Sequence, residues 1–174
     1  MFKIDKIIFE KNLYYKNHLL LKYTIEYPKI TGIPYSYQIQ KFNHFYQMNA
    51  IELKLYAERD LFEDAKKIFE YNTNNNLPFF NYELFSDYTI TYNKDSIISL
   101  FSNKYIYAGG AHGSTQRTSQ TWNMKSATLI PLCTLLNHDC SSFLLLLKVI
   151  LHQIQTQISN SSNSYFEDYA SLII

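Results

Sequence analysis

The chain is poor in arginine, glycine, proline and cysteine, and each shortage narrows what it can be. Only Arg59 and Arg117 carry guanidinium groups, and the formal net charge is +1 over 174 residues. No basic stripe exists to neutralise a phosphate backbone, so nucleic acid is not an expected partner. The two cysteines, Cys133 and Cys140, lack the C-x-x-C pair and the fourth ligand of a zinc site. Grouping them with His138 as metal ligands is therefore disfavoured, and no metal or cofactor is expected. A disulfide across that short interval and a pair of free thiols both fit the spacing, and thiols are preferred. The longest strongly apolar run, Phe143 to Leu151, is broken by Lys148. It falls far short of the roughly 20 residues that cross a bilayer, so no membrane-spanning segment is expected. Met1-Phe2-Lys3-Ile4-Asp5-Lys6 shows neither the apolar core nor the small-residue cleavage site of an export signal.

What the chain has in quantity is aromatic surface. With 16 Tyr and 12 Phe, and 47% of residues hydrophobic, it is expected to form a packed body rather than a disordered tail. The length fits a single domain over 1–174. A Tyr-rich surface suits protein or sugar recognition, although sheet packing is the commoner reason for large aromatics.

Apolar and polar residues alternate on both sides of Lys16-Asn17, with Leu19, Leu21, Tyr23, Ile25 and Tyr27 on one face, which predicts a β-hairpin. The run Tyr27-Pro-Lys-Ile-Thr-Gly-Ile-Pro34 ends the strand in a turn. From about Ser36 to Tyr71 the period becomes helical through Ile39, Phe42, Tyr46, Ala50, Leu53, Ala57, Leu61, Ala65 and Ile68, as one long helix or two in tandem. The charges between these positions, among them Glu52, Glu58, Glu63, Asp64 and Lys66, are expected to form a solvated face with i to i+3 or i+4 pairs. The polar loop Asn72 to Pro78 divides two structural halves, about 1–76 and 77–174. Strands are expected over Tyr82–Asn93 and Asp95–Tyr107, turning at Asn93-Lys94-Asp95, with a third over Thr118–Met124. A second amphipathic helix is expected from about Ser142 to Ile158, with Leu144, Leu147, Leu151, Ile154 and Ile158 as its inner stripe. Together these predict an α+β fold, a mostly antiparallel β-sheet packed against two main amphipathic helices.

Three of the four glycines fall at Gly109, Gly110 and Gly113, around His112 and just past a predicted strand. Such clustering asks for left-handed backbone or a close approach of another group. The spacing matches neither G-x-G-x-x-G nor a P-loop, which excludes a phosphate cradle. The candidate contact surface is this turn with its neighbours: Tyr105, Tyr107, Gly109, Gly110, His112, Gly113, Ser114 and Thr115. A hydrolase using His112 with Ser114 or Asp87 is the rival reading, and no spacing brings those groups together. In a third reading the turn merely closes the fold.

Four segments in this order carry a resemblance. They are Tyr27-Pro-Lys-Ile-Thr-Gly32, Ile39-Gln-Lys-Phe-Asn43, Tyr88-Thr-Ile-Thr-Tyr-Asn93 with Ile98-Ser-Leu100, and Tyr105-Ile-Tyr-Ala-Gly-Gly-Ala-His-Gly113. From about residue 4 onward the chain resembles a bacterial family of tandem uncharacterised domains. These occur in the ectodomain of the lysozyme-sensing anti-sigma-V factor and ahead of the catalytic domain in peptidoglycan N-acetyl deacetylase C. The resemblance implies a noncatalytic extracytoplasmic module that binds lysozyme, another protein or peptidoglycan. This chain departs from the family where Ser126-Ala127 replaces a Thr-Gly turn and Thr134-Leu135-Leu136 replaces an Asp-Leu-Phe element. Family members continue past a segment like Tyr165-Phe166 into terminal strands, so an unpaired sheet edge open to a second copy is expected here.

Overall fold

Two hairpins turn on pairs of non-glycine residues in the left-handed region. The computed structural model describes residues 1–32, 36–136, 140–161 and 165–173. In it Lys16 and Asn17 (φ 47° and 65°) join β1 (Lys3–Tyr15) to β2 (His18–Thr31). Asp95 and Ser96 (φ 53° and 63°) join β3 (Tyr82–Lys94) to β4 (Ile97–Tyr107), slightly later than the expected Asn93-Lys94-Asp95 turn. Consecutive positive φ values match the twist of the strands they connect. β5 (Ser114–Asn123) begins four residues before the expected Thr118, and β6 (Thr128–Leu129) follows.

The strand order is β1-β2-β3-β4-β5-β6, antiparallel throughout except between β2 and β3. Those two run parallel over only Leu21–Ile25 and Tyr82–Ser86. Parallel neighbours need a crossover. The helical segment supplies it as α1 (Tyr37–Tyr56), a π-turn at Ala57–Leu61, and α2 (Phe62–Asn74). The α+β class and the mostly antiparallel sheet are as the sequence predicts.

Ile39, Phe42, Tyr46 and Ala50 of α1 are buried against the sheet, followed by Ala57, Leu61 and Ala65. Ile68 does not continue the stripe: it is 39% exposed. The π-turn adds a residue to its turn and advances the phase. Phe69 therefore faces inward instead, against the rings of Tyr15, His18 and Phe79. At the far side, buried Trp122 donates its indole N–H to the Tyr46 hydroxyl at 2.9 Å and meets the rings of Phe42 and Phe45.

The helix charges are only partly a solvated face. Lys66 and Glu63 make the expected i to i+3 pair. Glu58, however, accepts from Tyr23 at 2.8 Å and Lys11 at 3.0 Å, Asp64 accepts from Tyr82 at 3.0 Å, and Glu70 accepts from Tyr15 at 2.6 Å and Lys16 at 2.9 Å. Three carboxylates on the helices thus receive hydroxyls from tyrosines rooted in the sheet.

Past Ile25 and Ser86, β2 and β3 separate, and two asparagines serve backbone that a neighbouring strand would otherwise pair. Asn43 of α1 accepts from the Ile30 N–H at 2.7 Å and donates to the Ile30 C=O at 3.0 Å. Asn93 accepts from the Phe2 N–H at 2.9 Å and donates to the Phe2 C=O at 2.8 Å. Ala127, at the place where the resemblance implies a glycine turn, takes a left-handed φ of 55° and is fully buried. Of the expected Tyr27–Pro34 turn, Gly32 has φ 73°, and residues 33–35 lie outside the described residues.

The chain forms two compact units, Met1–Leu129 and Ile130–Ile174. The first holds all the elements above. The second contains α3 (Leu132–Leu135), α4 (Cys140–Ser159) and α5 (Tyr169–Ile173). On α4, Leu147, Leu151 and Ile154 are half-buried, but Leu144 and Ile158 of the expected stripe are exposed. Cys133 is a free, exposed thiol, whereas His138 and the side chain of Cys140 lie outside the described residues. Among the described residues no helix is long and apolar enough to cross a membrane.

Asn43→Ala leaves two part-buried backbone groups of Ile30 without partners, so urea unfolding should show a loss of about 2 kcal/mol. Asn43→Asp, which keeps the acceptor, should lose less. Burial alone would push the Glu58 carboxyl up, but hydrogen bonds from Lys11 and Tyr23 overcome it and hold it below its ordinary 4.5. A depressed carboxylate contributes stability that is full above its ordinary value and lost as pH falls through the lowered one. Thermal melts below pH 4.5 should therefore fall less steeply for Glu58→Gln than for the wild type.

Candidate functional site: an open sheet face and its glycine turn

Strand register assigns the candidate residues to faces, because side chains alternate along a strand. Glu83, Phe85 and Asp87 of β3 pair with Tyr107, Tyr105 and Asn103 of β4. Tyr105, Asn103 and Phe101 in turn pair with Thr115, Arg117 and Ser119 of β5. These positions share the face opposite the helices. Phe85 is 37% exposed, and Glu83, Thr115, Arg117 and Ser119 are exposed as well.

A polar ladder crosses this face. Asn103 donates to Asp87 at 2.7 Å, Arg117 Nε donates to Asn103 at 2.8 Å, and the Arg117 guanidinium lies 4.2 Å from the Phe101 ring centre. The guanidinium is thus braced by one hydrogen bond and one ring. Sequence reading missed Phe85, Asp87 in this role, Phe101, Asn103 and Arg117. No spacing signal marks them, since they meet only through cross-strand register.

The glycine turn sits at one end of the face. Gly109 and Gly110 have φ 79° and 90°, conformations that side chains resist. The Tyr107 hydroxyl donates to the Gly110 carbonyl at 2.9 Å, tying the turn to β4. Gly113 is different: a Cβ built there would run into the Tyr105 ring. Its lack of a side chain is what lets Tyr105 lie over the start of β5.

His112 is exposed and has no hydrogen-bond partner among the described residues. Ser114 alternates onto the helix-side face with Gln116, while Asp87 is on the open face bound to Asn103. The register therefore puts Ser114 and Asp87, the two alternative partners of His112 in the rival hydrolase, on opposite faces of the sheet. Tyr105, Tyr107, Gly113 and Thr115 converge at the turn end of the open face, and Ser114 does not. Among the described residues no group of His, Cys, Asp or Glu is placed to hold a metal ion.

An open, mostly antiparallel six-stranded sheet with a crossover helix on one side and an aromatic, hydrogen-bonded face on the other defines an α+β domain. The chain belongs to the family described as Deacetylase PdaC, whose model matches residues 15–115. No curated protein is significantly similar in sequence. Among solved structures, a member of the DUF3298 family from Bacteroides fragilis NCTC 9343 is similar with a TM-score of 0.63 and 14% identity. The similarity covers 76% of this chain and 60% of that one, so this chain spans well under the full length of that protein. A DUF3298 family protein from Pseudomonas aeruginosa PAO1 is similar with a TM-score of 0.60 and 12% identity, over 93% of this chain and 69% of that one. At such identities the likeness is one of fold.

Gly113→Ala should lower stability by about 1–3 kcal/mol, because the Tyr105 ring must move. The double variant Gly113→Ala with Tyr105→Ala should lose less than the sum of the single losses in a double-mutant cycle. Additive losses would mean that the ring does not set the need for glycine.

Proposed function

We propose that this chain is a noncatalytic binding module of an extracytoplasmic, cell-wall-related protein, using the open face of β3–β5 and the glycine turn as its contact surface. The observation that supports it best is the composition and exposure of that face. Phe85, Tyr105 and a guanidinium braced on Phe101 are the residue types that anchor protein interfaces. A braced side chain also loses little rotamer freedom on binding. Family membership supplies the context, a domain associated with a deacetylase. The partner is a protein, lysozyme by the resemblance, or peptidoglycan, and the aromatic and guanidinium anchors favour a protein.

The test is titration of the purified chain with lysozyme and with peptidoglycan fragments by calorimetry. Binding of either should weaken at least tenfold in Arg117→Ala and in Phe85→Ser. No interaction with either, or binding that both variants leave unchanged, would overturn the reading.

The outer edge of β5 is paired only at Trp122 and Asn123, leaving Ser114–Thr121 unpaired on that side among the described residues. Such an edge can add a strand from a second copy. Light scattering should then show a concentration-dependent dimer that Thr118→Pro abolishes; a clean monomer at all concentrations counts against it.

A further inference from the structure

The two long outer strands of the sheet are defended very differently. β1 carries Lys3, Asp5, Lys6, Glu10 and Lys11, and its pairing with β2 shifts between Leu13 and Tyr14. Charges and bulges keep foreign strands off an edge. β5 has little of either. From Ser114 to Thr121 it reads Ser-Thr-Gln-Arg-Thr-Ser-Gln-Thr, with no proline, lysine or acid, and its pairing with β4 runs without a break. Ser114–Ser119 are all exposed, whichever face they take. On the helix side α1 packs on Trp122, while Gln116, Thr118 and Gln120 border an open cleft of about 580 Å³ beneath α1, where β2 parts from β3.

Hydrogen-bond parity decides what this edge offers. The Met124 N–H donates to the Ser96 carbonyl at 2.7 Å, one step beyond Asn123 and Ile97 in the same register. Bonded and non-bonded pairs alternate along an antiparallel ladder, so Gln116, Thr118 and Gln120 turn their main-chain groups toward β4. Thr115, Arg117, Ser119 and Thr121 turn theirs outward, and from Trp122 onward the edge belongs to β6. A two-fold axis at Thr118 sets Thr115 opposite Thr121 of the second copy and Arg117 opposite Ser119 of the second copy, so every outward group between them is paired. An axis at Arg117 would set two guanidiniums directly opposite each other, which is destabilising. An axis at Ser119 would bring Thr115 against Asn123, where β6 already lies. The Thr118 register avoids both faults, and it opposes Thr118 to Thr118 and Gln116 to Gln120, neutral hydroxyl and amide pairs.

We infer that β5 pairs antiparallel with β5 of a second copy about a two-fold axis at Thr118, joining the open faces of the two copies into one surface with an Arg117 on each side of the axis. The inference rests on the edge reading above and adds its register and the surface that results. Opposed residues of paired strands lie on the same face. Phe85 and Arg117 of both copies therefore look the same way, and a protein docked across the axis meets both sets. The sequence of the edge suits a second copy because it is complementary to itself in this one register.

The test is cross-linking of the full chain with Cys133 and Cys140 replaced by Ser. Thr118→Cys should form a disulfide dimer under mild oxidation, because opposed residues of a non-bonded pair have Cα atoms about 4.5 Å apart. Arg117→Cys and Ser119→Cys should each fail alone, since each lies roughly 7–8 Å from its own copy across the diagonal, yet they should cross-link when mixed. Ser119→Lys, placed opposite Arg117 of the second copy, should weaken the dimer roughly threefold or more in sedimentation equilibrium, and Ser119→Asp should tighten it. All these variants change exposed positions, so their melting temperatures under reducing conditions should match that of the cysteine-free parent. A clean monomer in light scattering would sink the edge reading and this inference with it. A dimer in which Thr118→Cys does not link, or in which Ser119→Cys links to itself, would overturn the register alone.

Discussion

Everything in the first unit depends on a parallel seam only five residue pairs long, Leu21–Ile25 against Tyr82–Ser86. Among the described residues it is the sole strand-to-strand join between the hairpin β1–β2 and the meander β3–β6. A parallel join requires a crossover, and the segment 37–74 is long enough to provide one and apolar enough on one side to bury the seam. Past the seam the strands diverge, and their main-chain groups need other partners. Asn43 and Asn93 answer this with a carboxamide, whose C=O and N–H present one acceptor and one donor side by side, as a strand residue would. The cleft under α1 has the same origin, since it opens at Ile25 and Ser86 where the pairing stops.

The helices are then fixed by chemistry as well as by area. Tyr23 and Tyr82 are 2% exposed, so their rings are core residues, yet each hydroxyl reaches a carboxylate on the helical segment. Burial first, and the neighbouring Asp64 second, push the Tyr82 hydroxyl up to about 12. It stays a donor across the ordinary pH range. A phenylalanine in either place would fill the same volume but would remove the hydroxyl that bonds the carboxylate, leaving Glu58 with Lys11 alone of the two donors named above. These bonds fix the rotation of α2 about its axis, which packing of the small Ala57 and Ala65 alone would specify poorly.

Sequence reading reached what local pattern controls. Alternation around Lys16-Asn17 pointed to the first hairpin, helical spacing to the helical segment though not to its role as a crossover, and glycine clustering to the turn. It missed what needs a partner distant in the chain. Nothing in the spacing of Ile68 reveals a π-turn that shifts the phase to Phe69. Asn43 and Asn93 stood inside the segments that carry the family resemblance, but their reason lies in strands 13 and 91 residues away. The glycine turn was located correctly, while its cause was divided: Gly109 and Gly110 answer to backbone conformation, and Gly113 answers to the Tyr105 ring. Arg117 was counted only as a scarce cation, because its relation to Asn103 and Phe101 exists solely in register.

The family match covers most of what closes the frame. Residues 15–115 contain Asn43, the carboxylates Glu58, Asp64 and Glu70, Asn93 and the glycine turn. Each of these closes or braces the fold. The match ends before Gln116, Arg117, Thr118 and Gln120, the part of β5 that supplies both the exposed guanidinium on one face and the polar floor of the cleft on the other. β5 is held by β4 along its whole length but by β6 at only two residues, so its outward chemistry can change without disturbing the seam. A domain built this way can keep one frame, as the likeness in fold to structures of 12–14% identity illustrates, while its outward chemistry varies.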